Sequence, residues 1–235
     1  MQQNHTDNNP FAEGQALLID KPLDWTSFDV VRKIRGMVKI KKVGHAGTLD
    51  PLATGLLIVC TGKYTKRINE YMAQEKEYTG TITLGATTPT FDLESEPENF
   101  RDISFVTDAL LQQAVGKLTG LIQQVPPIHS AIKKDGKRVY ELARKGKEVK
   151  LDPRPVTIHA FELTNINLPV VQFRVVCSTG TYIRSLANDL GALLGCGGYL
   201  SSLCRTRIGD FRLEQAMTIE EAGNYIRESL VRKDN

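Results

Sequence analysis

The stretch from Gly44 to Gly55, Gly-His-Ala-Gly-Thr-Leu-Asp-Pro-Leu-Ala-Thr-Gly, runs without a spacer into Leu56-Leu57-Ile58-Val59-Cys60. Five apolar residues in a row read as a buried strand. A buried strand obliges the rest of the chain to cover it, and it anchors the preceding segment on core. Three glycines in twelve residues permit backbone conformations and close approaches that a Cβ would block, while Pro51 pushes Asp50 into extended geometry. The Asp50 carboxylate is therefore aimed. On local pattern alone two readings stay open, an ordinary Asp-Pro turn and a catalytic loop carried on a rigid scaffold. A phosphate-binding loop is excluded: Gly62-Lys63 is followed by Tyr64 where Ser or Thr would hold magnesium, and the preceding glycine spacing is wrong.

Around this loop, strand and helix patterns mix. Ala16 to Asp20 is a short strand ended by Lys21-Pro22. Thr26 or Ser27 caps a helix with Val30, Val31, Ile34 and Met37 on one face and its basic residues outward. A short helix lies around Lys66 to Met72. Tyr78 to Leu84 alternates, with Tyr78, Gly80, Ile82 and Leu84 on one face and threonines on the other, so it is a half-buried strand and Tyr78 reads as a core tyrosine. Gly85 to Phe100 reads as an exposed loop. Thr107 caps a helix to Leu118 with Leu110, Leu111, Ala114 and Leu118 inward. Gly120 to Val125 is a strand stopped by Pro126-Pro127.

Val156 to Asn165 and Val170 to Ser178 form a strand pair with Leu168-Pro169 near the turn. Thr181 is the natural cap of a helix from Tyr182 to Leu194, with Gly195 just past its end. That cap puts Arg184 in the first turn, where the helix dipole disfavours a cation; an anion is needed nearby, and Asp50 is the expected partner. Tyr199 to Ile208 is a further strand carrying Leu203, Arg205 and Arg207. Thr218 to Glu221 is a capping box opening a last helix that ends near Arg227. Mostly local strand connections predict an α+β fold with a mixed, largely antiparallel central sheet flanked by helices.

With 235 residues the chain can bury a sizeable core. Met1 to Gly14 is polar and expected to be frayed. No apolar run is long enough for a membrane span or signal peptide, which predicts a cytoplasmic protein. Cys60, Cys177, Cys196 and Cys204 lie in apolar segments without close pairing and read as buried thiols. The histidines His5, His45, His129 and His159 form no ligand pair, so neither metal nor cofactor is expected. The net charge of +3 hides an asymmetry. Arg32 to Lys42 holds six basic residues and no acid, and Lys133 to Arg154 holds nine basic and four acidic residues. Two concentrated positive segments are the footprint of a polyanion partner. Ile128 to Asp152 reads as a projecting basic insertion with a short helix over Arg138 to Lys145, where Tyr140 offers a ring for stacking.

Several separated motifs together resemble the TruB-type tRNA pseudouridine synthases: Asp20-Lys21-Pro22 with Thr26-Ser27, the Gly44 to Gly55 loop, Tyr78-Thr79-Gly80, Pro126-Pro127 to Tyr140-Glu141, Gly180-Thr181-Tyr182-Ile183-Arg184, and Arg205-Thr206-Arg207-Ile208-Gly209. The resemblance covers Leu17 to Phe211. It implies an isomerase that converts uridine to pseudouridine at position 55 in the T-loop of tRNA after flipping the base out. Asp50 matches the essential aspartate, which either attacks C1′ or removes a proton from C2′. Tyr78 matches the residue that stacks on the target base and helps remove the C5 proton, which replaces its core reading. Arg184 matches the arginine paired with the aspartate, and His45 the residue that takes the place of the flipped base. Tyr182, Lys21 and Leu203 are placed with the substrate-binding residues, and residues 126–152 with an RNA-clamping thumb.

By the same resemblance the domain plan is a tail over 1–14, one catalytic domain over 15–228 and a tail over 229–235, acting as a monomer on the T-arm of tRNA without a guide RNA. The chain departs from many relatives in carrying Ala46 where they have Thr. It also has too few residues after Phe211 for the C-terminal PUA domain that many of them carry. A non-catalytic tRNA-binding or chaperone module is the alternative reading.

Overall fold

The computed structural model describes residues 9–128, 133–134, 137–138 and 151–231. The fold is α+β, a mostly antiparallel sheet flanked by helices. The chain divides into two compact units: one comprises the residues up to Glu77 together with those from Cys204 onward, the other Tyr78–Leu203.

In the first unit, β1 (Ala16–Lys21) runs antiparallel to β3 (Ala53–Thr61), from Ala16 opposite Cys60 to Lys21 opposite Gly55. β2 (Val43–His45) pairs with the other end of β3, with His45 opposite Val59. The apolar run explains itself here, because both faces of β3 are covered. Leu57 and Val59 join Leu17, Ile19 and the helical residues Val30, Val31 and Ile34, whereas Leu56, Ile58 and Cys60 pack with Ala46, Tyr71 and Ile208. α2 (Ser27–Val38) opens with a capping box in which the Thr26 hydroxyl accepts from the Asp29 amide and Asp29 accepts from the Thr26 amide. Thr26, not Ser27, is the cap. A tighter helical turn, Gly62–Arg67, leads into α3 (Ile68–Ala73).

Three boundaries differ from expectation. The glycine loop is shorter than Gly44 to Gly55, because β2 takes its start and β3 begins already at Ala53; residues 46–52 remain as loop. Gly55 is thus a strand residue at φ +98°, and a Cβ there would lie 2.4 Å from the Arg205 carbonyl oxygen. Residues 9–13 are ordered rather than frayed: Asn9 caps a helix (Pro10–Glu13, α1) and Phe11 is fully buried. The last helix continues to Val231, past the expected end near Arg227; it starts from the expected box, with Thr218 and Glu221 capping each other.

The second unit contains β4 from Tyr78 onward (the strand spans Lys76–Leu84), β5 (Gly120–Gln124), β8 (Arg154–Asn167), β9 (Val170–Cys177) and β10 up to Leu203 (the strand spans Gly198–Ile208). Their order is β10-β4-β9-β8-β5. The hairpin of β8 and β9 carries the alternation read from Val171, Phe173, Val175 and Cys177, all buried. Within the basic insertion, Lys133–Lys134 (β6) pairs with Lys137–Arg138 (β7); the helix expected over 138–145, and Tyr140, lie outside the described residues.

α4 (Asp108–Lys117) is capped by Thr107, but Leu110 points outward and Val115 is buried in its stead. The helix after β9 is α5 (Ile183–Leu194), capped by Tyr182 and not Thr181. The Thr181 hydroxyl instead donates to the Ser178 carbonyl at 2.9 Å, which uses it up in the turn. The loop over 85–100 is not exposed throughout, since Thr88, Thr90 and Asp92 are buried.

Candidate active site

The first unit holds Asp50, Lys21 and His45. Asp50 sits in the loop over 46–52, and the backbone on each side of it is fixed. The Leu49 amide donates to the Ser27 hydroxyl at 2.8 Å, and that hydroxyl donates to the Leu49 carbonyl at 3.1 Å; both residues are buried. After Asp50, the Pro51 carbonyl accepts from the Asp24 amide (2.9 Å) and from Lys21 Nζ (3.3 Å). The Ala53 amide closes a turn onto the Asp50 carbonyl at 3.1 Å. Asp-Pro supplies the extended entry, Gly47 at φ +93° supplies a bend only glycine makes without strain, and Leu49 buries the middle of the loop in core.

Lys21 has no exposed surface. Its ammonium also donates to the carbonyls of Trp25 (2.5 Å) and Pro22 (2.9 Å). Burial drives its pKa down to about 8, while the Asp50 carboxylate works in the opposite direction, favouring the charged form. Arg205, 1 % exposed, donates from Nε to the Leu56 carbonyl (2.8 Å) and from Nη2 to the Gly47 carbonyl (3.2 Å). His45, at the end of β2, has its pKa lowered by burial, with Arg205 pushing the same way against a hydrogen bond with the Gly47 backbone. Burial and Arg205 both favour the neutral imidazole.

The second unit holds Tyr78, Tyr182, Arg184 and Leu203. Arg184, at the second helical position of α5, is 4 % exposed. Its Nη1 lies 3.6 Å from Asp92 Oδ2 and donates to the Thr90 carbonyl at 3.2 Å. The anion that a cation in a first helical turn requires is thus supplied in part by Asp92, whose other carboxylate oxygen accepts from the Glu94 amide. The Tyr182 backbone is clamped by the Gln124 side chain, which accepts from its amide (2.8 Å) and donates to its carbonyl (3.1 Å). The Arg154 guanidinium lies over the Tyr182 ring, 5.0 Å from its centroid. Tyr78 is 8 % exposed on β4, and Leu203 is half-buried on β10.

Asp50 and Arg184 belong to different units, and their pairing is part of the proposed function. Three residues of these sites are missed by the sequence. Asp92 is one carboxylate among many in a stretch that reads as exposed loop, Ser27 reads as an alternative helix cap, and Arg205 is placed on a strand and in a motif without a role. For Asp92 a signal was available in the cation placed at the start of α5. Among the described residues no three His, Cys, Asp or Glu side chains gather as a metal-ligand set, and no helix is long and apolar enough to cross a membrane.

Comparison with known proteins gives a consistent picture. The description "TruB family pseudouridylate synthase (N terminal domain)" matches residues 35–183, and "tRNA pseudouridylate synthase B C-terminal domain" matches residues 184–233. A protein of Flavobacterium johnsoniae named tRNA pseudouridine synthase B is 52 % identical over 216 residues, covering 89 % of this chain and 94 % of that one. One of Bacteroides thetaiotaomicron with the same name is 47 % identical over 235 residues, covering 95 % and 98 %. Among solved structures, a chain of a Cbf5-Nop10-Gar1 complex superposes with a TM-score of 0.73 at 29 % identity, covering 95 % of this chain. A chain of an H/ACA RNP bound to a substrate RNA containing 2′-deoxyuridine gives 0.67 at 28 %, covering 89 %. The chain spans only 57 % and 52 % of those two structures. The match of one family description to well over half of the residues, and relatives at about this identity over almost their full length, make the chain a member of the TruB family of pseudouridylate synthases.

Proposed function

We infer that the protein converts uridine to pseudouridine in the T-loop of tRNA, at position 55. The observation that carries this reading is the fixation of the Asp50 loop, with Leu49 held by Ser27 and Pro51 held by Lys21 and the Asp24 amide. A carboxylate set in a buried frame acts on a substrate brought to it, and a target inside a stacked loop must first be flipped out.

In the reaction the N1–C1′ bond breaks, uracil leaves as a resonance-stabilised anion and turns, C5 bonds to C1′, and C5 then loses its proton while N1 regains one. Because the leaving group is already stabilised, no second carboxylic acid is needed, unlike in glycoside hydrolysis. Asp50 acts on the ribose. Arg184 pairs with it, which keeps the carboxylate ionised and oriented, and Asp92 holds Arg184 in turn. Tyr78 stacks on the uracil and assists loss of the C5 proton; neutral His45 fills the place of the extruded base; Tyr182 and Leu203 line the substrate, and the buried Lys21 supports the site through the Pro51 carbonyl. The cations exposed between Arg32 and Lys42, and those of residues 126–152, meet RNA phosphates. The names of the relatives at about 50 % identity support tRNA as the substrate.

The test is incubation with an unmodified tRNA transcript, without added cofactor, metal or guide, followed by mapping of pseudouridine at nucleotide resolution. Wild type is expected to modify uridine 55, and Asp50→Asn to bind the transcript with near-normal affinity and form no product. Binding without pseudouridine in wild type would establish a binding module instead.

A further inference from the structure

We propose that Arg205 is a positioning residue for Asp50, a guanidinium buried against the first half of β3 that ties the catalytic loop to the sheet. The inference rests on the isomerase reading above. Arg205 is among the largest side chains with essentially no exposed surface. It cannot shed its proton, so its burial is costly unless its donors are met. Two of them are met by carbonyls that belong to different parts of the site: Leu56 inside β3 and Gly47 in the loop, three residues before Asp50.

The strand end of this tie is already rigid. β3 is held by β1 and β2 and packed on both faces, and Gly55 lies so close to Arg205 that a Cβ would touch its backbone carbonyl oxygen and amide, at 2.4 and 2.8 Å. The loop end depends on side chains: Leu49 is held by Ser27, while Gly47, a left-handed glycine with more conformational freedom, accepts from Arg205 Nη2 at its carbonyl and has a further backbone hydrogen bond with His45. Downstream of Asp50 the counterpart is Lys21 on the Pro51 carbonyl. The two buried cations interact electrostatically, and Lys21 also senses Asp50. Asp50 is thereby suspended between two cation-held carbonyls, and removal of one lets the carboxylate drift while the RNA-binding surface stays as it is.

The experiment compares wild type, Arg205→Lys, Arg205→Ala and Arg207→Met, the last as a control on the same strand whose side chain pairs instead with Glu75 and Glu77. Readouts are the single-turnover rate of pseudouridine formation, the affinity for a T-arm RNA with cytidine at the target, and the melting temperature. Displacement of a reacting group by about 1 Å costs on the order of 100-fold. The Arg205 variants are therefore expected to slow product formation about 10- to 100-fold with affinity changed less than about threefold, and ethylguanidinium should restore part of the rate to Arg205→Ala. Arg207→Met should lower the melting temperature and keep the rate. If Arg205→Ala does not fold, Arg205→Lys, which reaches one of the two carbonyls, decides. Rates within about twofold of wild type in a folded Arg205 variant, or an equal slowing in Arg207→Met, would overturn the proposal. Absence of product from wild type itself would remove the isomerase reading and the positioning role with it.

Discussion

Replacing Ser27 by alanine removes one hydroxyl that serves two backbone groups. The Leu49 amide and carbonyl both use it, at 2.8 and 3.1 Å, in a residue that is 4 % exposed. A buried polar group left unpaired costs about 1–3 kcal/mol, so the pair is worth roughly 2–4 kcal/mol if both stay dry. That is a large share of the ~5–15 kcal/mol by which a folded protein is stable. For a chain of this size it corresponds to a fall of about 5–10 °C in Tm. Because the orphaned groups flank Asp50, the single-turnover rate should fall by about 10-fold even at temperatures where the protein is fully folded. Thr26→Ala is the matched control: it deletes the cap of α2, costs about 1 kcal/mol, and touches no atom of the loop. Differential scanning calorimetry and a single-turnover tritium-release assay at 25 °C read the two effects separately. A Ser27→Ala protein with Tm within 2 °C of wild type and an unchanged rate would refute the reasoning that this hydroxyl frames the carboxylate.

Asp92→Asn keeps the shape and removes the charge facing Arg184 in a pair whose side chains are 5 % and 6 % exposed. Breaking a buried pair from one side costs up to about 3–5 kcal/mol. With the Thr90 carbonyl still on the guanidinium, about 2 kcal/mol in urea denaturation is expected, together with at least a 10-fold slower reaction and intact RNA binding; an unchanged rate would separate Asp92 from Arg184's role. Lys21 predicts a pH dependence. Its folded pKa of about 8 lies below the ordinary lysine value of 10.5, so between these values the unfolded chain binds more protons and stability rises with pH. Below pH 8 the full cost of burying the charge is present. Urea melts of wild type and Lys21→Met at pH 7.5 and pH 10 should show the difference moving in favour of wild type at the higher pH; a flat difference would show that the ammonium is not desolvated.

Sequence was enough wherever the information is local. The apolar run of β3, the alternation of β4 and β9, and the capping signals at Thr26, Thr107 and Thr218 fix backbone states through neighbours one to four positions away, and those elements appear where they are expected. Asp50 stands out for the same reason: glycines and a following proline constrain its own backbone. Boundaries drifted where pairing partners outvoted local signals, as when β2 and β3 absorbed both ends of the glycine loop, or when Tyr182, held by Gln124, took the cap from Thr181.

The partners of the charged groups were decided by tertiary structure alone. Ser27 meets Leu49 across 22 positions, Arg184 meets Thr90 across 94, and Arg205 meets Gly47 across 158. A hydroxyl or guanidinium carries no mark in the sequence of which carbonyl it will find; burial makes it find one, because a buried donor without an acceptor is too costly to keep. The amino-acid sequence determined that this chain would present one aspartate on a glycine-flanked loop, and only the folded chain decided which buried side chains hold that loop still.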